Sequence, residues 1–298
     1  MRLMRDLNPA WFILACAAQG ATYASTAWSW RLGLRAIGVE APFRRLLSLA
    51  IQKLFVDQTV PSGGMSGNAY IVSALDRQGV PRADCFGVVL ANLMAHYAAY
   101  LAVALVAVGL LRMLRLWRGW MVVMLTAFIV ACIAIPLGLL ALHRFEGALP
   151  GWIVRRPGFG ATLASYGNAP LRLLRRGGLL LRMALLDMSV HAFDALTLWL
   201  LLHAIGSPAA PELVFVSFVL GTMAAMLGPL PMGLGAFEGA CVGGLVSGGV
   251  PIEVALVGTL LLRGWTTWLP MLPGLWLTRM ELHASPLKRQ EGPAETAG

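Results

Sequence analysis

Four charged residues stand inside apolar stretches of this chain, where a charge is costly unless it pairs with another charge or binds a ligand. Lys53 and Asp57 are four positions apart, so a helix would place both on one face. Glu238 follows a glycine-rich break, and Arg263 lies in the next apolar stretch. An ion pair would offset the cost of desolvating both partners. Each pair therefore either stabilises the packing or presents a cation to a phosphate group.

Glycines accompany these charges at two breaks in the apolar pattern, around residues 63–67 and 233–235. Glycine lets the backbone approach closely and exposes N–H groups at the start of a helix, which is a site suited to an anion. The alternative is a tight turn that holds no ligand. No catalytic residue, metal ligand or cofactor is expected, and the predicted substrate-binding residues are Lys53, Asp57, Gly63, Gly64, Asn68, Gly233, Gly235, Glu238 and Arg263.

Composition places these residues in a membrane protein. Hydrophobic residues make up 58% of the 298 positions and charged residues 12%, and the mean hydropathy is +0.73, too apolar for an ordinary soluble domain. The net charge of +9 comes from arginines clustered at the ends of apolar segments, which indicates anchoring to anionic lipid headgroups and argues against nucleic acid as a partner. Stretches long enough to span a bilayer are residues 10–34, 83–111, 119–142, 183–205 and 252–280.

The two breaks belong to one motif that occurs twice, 170 residues apart. The first copy runs from Pro61 to Asn68 and continues to Gly79-Val80-Pro81; the second runs from Pro231 to Glu238 and continues to Gly249-Val250-Pro251. Across thirty aligned pairs eight are identical, so duplication explains the match better than composition does. Short apolar segments interrupted by Gly and Pro at matching places in two halves predict a transporter's binding site at the membrane midplane.

The remaining apolar runs, 43–60, 63–75, 213–228 and the one ending at Ser247, are too short to span. We predict that they form re-entrant helix pairs within repeat 1 (about 43–111) and repeat 2 (about 212–280). Each repeat would cross the membrane an odd number of times with two spans between the repeats, so we predict inverted repeats. The predicted fold is all-α and polytopic. It has one transmembrane domain (1–282), an amphipathic cytoplasmic segment (about 143–182) and a disordered tail (283–298).

The charge distribution predicts the orientation. Sixteen Lys and Arg residues fall on the side that holds residues 143–182 and the C-terminus, against five on the other side. The positive-inside rule therefore places the C-terminus in the cytoplasm and leaves the N-terminus outside.

The residues 231–238, followed by Gly-Val-Pro at 249–251 and by the stretch 262–270 containing Arg263, resemble the lysylphosphatidylglycerol synthase/flippase transmembrane family. The resemblance covers about residues 28–280. It implies a flippase-like module of the bacterial inner membrane, without the C-terminal aminoacyl-transfer domain, that moves a phospholipid or other lipid headgroup between leaflets and is not an enzyme. A homo-oligomer is left open. Asn92 and His96 stand where family members usually carry a charged pair.

An intramembrane serine protease is the competing hypothesis. Gly64-Met65-Ser66-Gly67 matches the G-x-S-G motif of rhomboid-type proteases, in which a histidine such as His96 or His191 would activate Ser66. Against it, the repeat already accounts for the glycines, and Ala236 stands opposite Ser66 in the second copy.

Two further polar sets lie within the predicted spans. Asp187, His191 and Asp194 share one helical face and could relay protons, but interfacial solvation is the favoured interpretation because Asp187 lies near the predicted span end. Asn92 and His96 also share a face, and interhelical hydrogen bonding is favoured for them.

Overall fold

The chain forms an all-helical bundle, seen in a computed structural model that describes residues 9–59, 65–144, 171–228 and 233–283. No strand occurs within these ranges. The helices are α1 (Pro9–Arg35), α2 (Phe43–Thr59), α3 (Met65–Asp76), α4 (Arg82–Met113), α5 (Gly119–Arg144), α6 (Gly177–Ala204), α7 (Pro211–Leu227), α8 (Ala236–Ser247), α9 (Ile252–Arg263) and α10 (Leu269–His283), with a short 3₁₀ turn at Leu171–Leu173.

Within the described ranges, α4, α5 and α6 are long and apolar enough to cross a membrane. The 28 residues of α6 extend over about 42 Å, more than the ~30 Å hydrocarbon core of a bilayer. Helix α1 has 27 residues but is less apolar, because several polar side chains lie on its buried faces toward α4 and α6. The protein is therefore a polytopic α-helical membrane protein, as predicted.

The short helices form antiparallel hairpins, as expected of pairs that enter and return. In the first hairpin the Tyr70 hydroxyl on α3 donates to Gln52 Oε1 on α2 at 2.9 Å. In the second, α8 packs closely on α7, and a Cβ added at Gly244 would lie 2.7 Å from Ser217 Oγ. Gly244 thus allows close packing of α8 on α7.

The duplication extends through the helix pattern. In the first half, helices of 17, 12 and 32 residues follow one another; in the second, helices of 17 and 12 residues precede a 32-residue segment, 252–283. The Gly-Val-Pro turns also match. Gly79 and Gly249 have φ of 88° and 91°, a backbone region that favours glycine. The amide of the following valine donates to the carbonyl of Leu75 or Leu245 at 3.2 and 3.1 Å.

The repeat is longer than the sequence indicated. The 27-residue α1 precedes the first hairpin as the 28-residue α6 precedes the second, and these two helices pack along each other. Packing between the halves is also reciprocal, since α10 contacts α2 and α4 contacts α7. Helix α5 stands between the two copies. The opposite orientation of the copies in the membrane stays a prediction.

Two helix boundaries carry structural information. Helix α6 begins at Gly177 and not at residue 183, so Asp187 is its eleventh residue and lies well inside the helix. This corrects the placement of Asp187 near a span end.

Between α9 and α10 the helix widens to a π-helix at Gly264–Trp268. Pro270 has no N–H to donate to the Thr266 carbonyl, which accounts for a change of register at this point. Most of the predicted amphipathic segment and nearly all of the tail lie outside the described residues.

Candidate functional site

Glu238 and Arg263 form the ion pair expected from the sequence. Arg263 Nε donates to Glu238 Oε1 at 2.8 Å, and their side chains are only 11% and 16% exposed. The guanidinium carbon also lies 5.1 Å from the centre of the Phe237 ring, within range of a cation–π contact. The pair joins the start of α8 to the end of α9, so it fixes the broken hairpin to the neighbouring helix.

Glu238 also caps the helix on which it lies. Its second oxygen, Oε2, accepts the Gly235 backbone N–H at 2.6 Å, an N–H that has no carbonyl partner within α8. Gly235 has φ of 79° and Gly233 has φ of 63°, so both positions favour glycine. A Cβ at Gly233 would also overlap Ala225 on α7. The sequence predicts a close backbone approach at both glycines. The structure confirms it for Gly233.

The first repeat contains a related arrangement built from different positions. Lys53 Nζ lies 2.7 Å from Asp57 Oδ2, which confirms the predicted pair on one face of α2. Asp57 Oδ1 accepts the Gly67 backbone N–H at 2.7 Å, so this carboxylate caps α3. A Cβ at Gly67 would lie 2.5 Å from the Asp57 carboxyl carbon. Only glycine lets the carboxylate approach the start of α3 so closely.

In both copies a carboxylate occupies the place where an anion was predicted. The helix N-terminus attracts negative charge, and in this conformation the protein supplies that charge itself through Asp57 and Glu238. Asn68, the sequence counterpart of Glu238, makes no side-chain hydrogen bond within the described part of the chain. Its predicted role is not visible in this conformation. Gly63 and Gly64 lie outside the described residues.

These groups lie deep in the bundle. Arg263 is the twelfth residue of α9, about 18 Å from its start, and Lys53 is the eleventh residue of α2, about 16 Å from its start. Half the thickness of a bilayer's hydrocarbon core is about 15 Å. Both cations therefore lie well away from the starts of their helices, and the midplane level of the site stays a prediction.

An apolar groove of about 500 Å³ lies along the last third of the chain. It follows the end of α9, the π-helix and the start of α10. Residues that line it include Leu261, Gly264, Trp265, Trp268 and Leu272. Its size falls in the range of small-molecule sites, and Arg263 is not among the residues that line it.

The Ser66 hydroxyl joins the start of α3 to the end of α2. It donates to the Val56 carbonyl oxygen at 3.4 Å and to Asp57 Oδ1 at 3.3 Å. His96 and His191 contact each other, Tyr100 lies against both, His96 also contacts Tyr97 and Asp187, and His191 also contacts Phe218. A protease mechanism stays an untested alternative, and the contacts with α2 explain the position of Ser66 without it.

The structure joins polar residues that the sequence placed in separate sets. Asn92 Nδ2 donates to Ser29 Oγ at 3.1 Å, which confirms the expected interhelical hydrogen bond. His96 Nδ1 lies 3.5 Å from Asp187 Oδ2 on α6. Asp194 accepts hydrogen bonds from α1. The pairing between α1 and α6 could not be read from the sequence, and the helical spacing of Asp187, His191 and Asp194 was the only signal of this cluster.

Comparison with known proteins agrees with this fold and motif arrangement. Residues 1–274 match the model of the family described as the lysylphosphatidylglycerol synthase TM region. The chain belongs to this family of multi-pass membrane proteins. It is also similar to the UPF0104 membrane protein MJ1595 of Methanocaldococcus jannaschii, with 22% identity over 292 residues that cover 92% of this chain and 85% of that protein.

Proposed function

We propose that this protein moves a phosphate-bearing lipid headgroup between the two leaflets of a membrane. The observation that carries the proposal is the Glu238–Arg263 pair, held at the capped start of a broken helix. A cation and a helix N-terminus together suit a phosphate group. The family description names a lipid, lysylphosphatidylglycerol, which supports a lipid as the cargo.

The headgroup would take the place of the carboxylate. In the conformation seen here Glu238 contacts both Arg263 and the Gly235 N–H. A lipid phosphate offers the same kind of oxygen acceptor and competes for these two donors. Displaced Glu238 would then discourage a second anion from entering, so one headgroup would occupy the site at a time. The Lys53–Asp57 pair at the start of α3 would act in the same way in the other half.

The acyl chains would stay in apolar surroundings during this movement. The groove along the end of α9, the π-helix and the start of α10 suits an acyl chain, because its lining is almost wholly apolar. Only the headgroup would have to pass through the bundle. The mechanism would be rocking of the two repeats around the breaks, as in transporters built from repeats.

The test is redistribution of a fluorescent anionic phospholipid in proteoliposomes. Arg263→Met should slow it by a factor of about 100 or more, corresponding to about 3 kcal/mol of lost charged hydrogen bonding. Arg82→Met is the matched control, because Arg82 pairs with Asp76 and its side chain is 61% exposed. The control should redistribute lipid at the unmodified rate. Equal rates for Arg263→Met and the control would refute the proposed role of Arg263.

We also propose that the protein lies in the bacterial plasma membrane with its C-terminus in the cytoplasm. The support is the sixteen-to-five excess of basic residues on that side. A C-terminal alkaline phosphatase fusion should be inactive and a C-terminal green fluorescent protein fusion bright. The reverse pattern would contradict this orientation.

A further inference from the structure

A layer of polar side chains joins α1, α4 and α6 near the middle of these helices. We call it the midplane polar layer, and it consists of Gln19, Thr22, His96, Tyr100, Asp187, His191 and Asp194. Gln19 is the eleventh of 27 residues in α1, His96 the fifteenth of 32 in α4, and Asp194 the eighteenth of 28 in α6. Ionisable side chains at such depth are rare and by default indicate function.

Asp194 differs from the other inward-facing carboxylates, including Asp187, which lies 3.5 Å from His96 Nδ1. Asp57 and Glu238 each have a cationic partner, at 2.7 and 2.8 Å. Within the described part of the chain Asp194 forms no ion pair. Its oxygen Oδ1 accepts hydrogen bonds from Gln19 Nε2 and Thr22 Oγ1, both at 3.3 Å, and both donors are neutral. Asp194 is half-buried, and a carboxylate without a cationic partner in an apolar interior is costly, which favours uptake of a proton. Because both donors contact Oδ1, Oδ2 is the oxygen that can be protonated.

Several groups that can carry protons lie around Asp194. Tyr23 faces it from α1 and Tyr100 from α4. On α6 itself, His191 lies one turn away and is 6% exposed, with no hydrogen-bond partner for Nε2 in the described ranges. Helices α7 and α9 contribute apolar contacts to α6, such as Phe218. No Lys or Arg belongs to the described layer.

The layer also has a more accessible end. His96 is 39% exposed at its side chain and lies 3.5 Å from Asp187. Between this pair and His191 stands Tyr100, whose ring centre is 4.3 Å from that of His96 and 4.8 Å from that of His191. A cavity of about 10 Å³ adjoins His191 and Tyr100, which is about the space that one water molecule needs. Titratable groups therefore follow one another from the half-exposed His96 to the buried His191.

We propose that Asp194 is a proton-binding site that couples proton movement to the lipid transport proposed above, on which this inference rests. The carboxylate takes up one proton at Oδ2 to become the neutral acid and releases the same proton when the repeats change position. His191, Tyr100, His96 and Asp187 connect it to the half-exposed end of the layer at His96. Through this layer, a proton gradient supplies the energy for moving lipid against its own concentration gradient.

Aromatic contacts join the layer to the lipid site. The His191 ring centre lies 6.5 Å from that of Phe218, and Phe218 lies 6.0 Å from Phe237. Phe237 in turn carries the Arg263 guanidinium on its ring face. Spatial continuity alone does not establish coupling, so the contact must be tested by substitution. Phe218→Leu should weaken the coupling, while Phe215→Leu, on the same helix, is the matched control.

The first experiment tests proton binding without transport. Difference infrared spectra of the full chain in bilayers, recorded between two pH values, should show the carbonyl stretch of a protonated carboxylic acid. The band should vanish in Asp194→Asn and shift in Thr22→Val, which removes one donor to Oδ1. Asp76→Asn, which removes a carboxylate paired with Arg82, should leave it unchanged. A band that persists in Asp194→Asn and is unmoved by Thr22→Val, or no band at all, would overturn the proton site. Thr22→Val keeps the test valid if Asp194→Asn fails to fold.

The second experiment tests coupling in proteoliposomes with an imposed pH gradient. The gradient should change the redistribution rate of anionic phospholipid by a factor of about 5 or more, the low end of typical coupling free energies. Asp194→Asn should remove this dependence and Phe218→Leu should reduce it, whereas Asp76→Asn and Phe215→Leu should keep it. Redistribution that ignores the gradient would overturn the coupling and leave the lipid function standing. No redistribution in any variant would refute the lipid function and with it the coupling, and the infrared band would still decide whether Asp194 binds a proton.

Discussion

The Glu238–Arg263 pair allows a prediction whose magnitude follows from the structure. Both side chains are nearly buried, and Arg263 Nε lies 2.8 Å from Glu238 Oε1. Removing one partner of a buried pair leaves an uncompensated charge and typically costs about 3–5 kcal/mol. Glu238→Gln and Arg263→Met should each lower the free energy of unfolding by that amount. The double substitution should cost less than either single one, because no unpaired charge remains.

The assay is a double-mutant cycle on the free energy of unfolding, measured by SDS titration in mixed micelles. The exposed Asp76–Arg82 pair is the control, and its coupling should be within about 0–1 kcal/mol. For Glu238–Arg263 the coupling should exceed about 3 kcal/mol, because the double substitution costs less than either single one. Additive effects at Glu238 and Arg263 would mean that the two side chains do not interact, and the proposed site would lack its ion pair.

The same cycle on transport should give a different result. If Arg263 contacts the lipid phosphate, the double variant recovers stability and not transport. Glu238→Gln alone should fold in part and transport at an altered rate, since its amide oxygen can still accept the Gly235 N–H. Full recovery of transport in the double variant would show that the pair is structural only.

Three further outcomes are expected. Gly67→Ala should destabilise the protein by about 1–3 kcal/mol, because a Cβ there meets the capping carboxylate, while Gly109→Ala, which meets no atom within 4 Å, should be neutral or stabilising in thermal melts. If the Ser66 hydroxyl only bonds to α2, Ser66→Ala should leave lipid redistribution within about twofold of the unmodified rate. It should lower the free energy of unfolding by about 1 kcal/mol. A peptidase activity that is lost in Ser66→Ala would instead favour the protease hypothesis. In a background without cysteine, single cysteines near Arg77 and Ser247 should react from opposite membrane sides; labelling from one side would disprove inversion.

Much of the helical pattern was predictable because its signals are local. Pro81 and Pro251 begin long helices, and the preceding glycines adopt positive φ in both copies. Apolar length separated α4 from the shorter helices of the hairpins. The start of α6 was misplaced because Arg182 was taken as the membrane edge, whereas the helix continues beyond it to Gly177.

The site was only partly predictable, because its hydrogen bonds join distant segments. The pairing of Lys53 with Asp57 follows from helical spacing alone. The capping of Gly67 by Asp57 depends on how α2 folds back on α3, and no spacing rule reports it. The partners of Asp194 lie more than 170 residues away on α1, which explains why an interfacial position looked preferable for it.

The most direct test of the central claim is leaflet sorting of fluorescent lipids by the unmodified protein in proteoliposomes. Lipids that carry a phosphate, either an anionic phospholipid or a polyprenyl-phosphate-linked sugar, should redistribute between leaflets, because Arg263 and the start of α8 offer donors to phosphate oxygens. An uncharged hopanoid-type lipid should not. Failure of every phosphate-bearing lipid to redistribute, or equal redistribution of the uncharged one, would contradict the account.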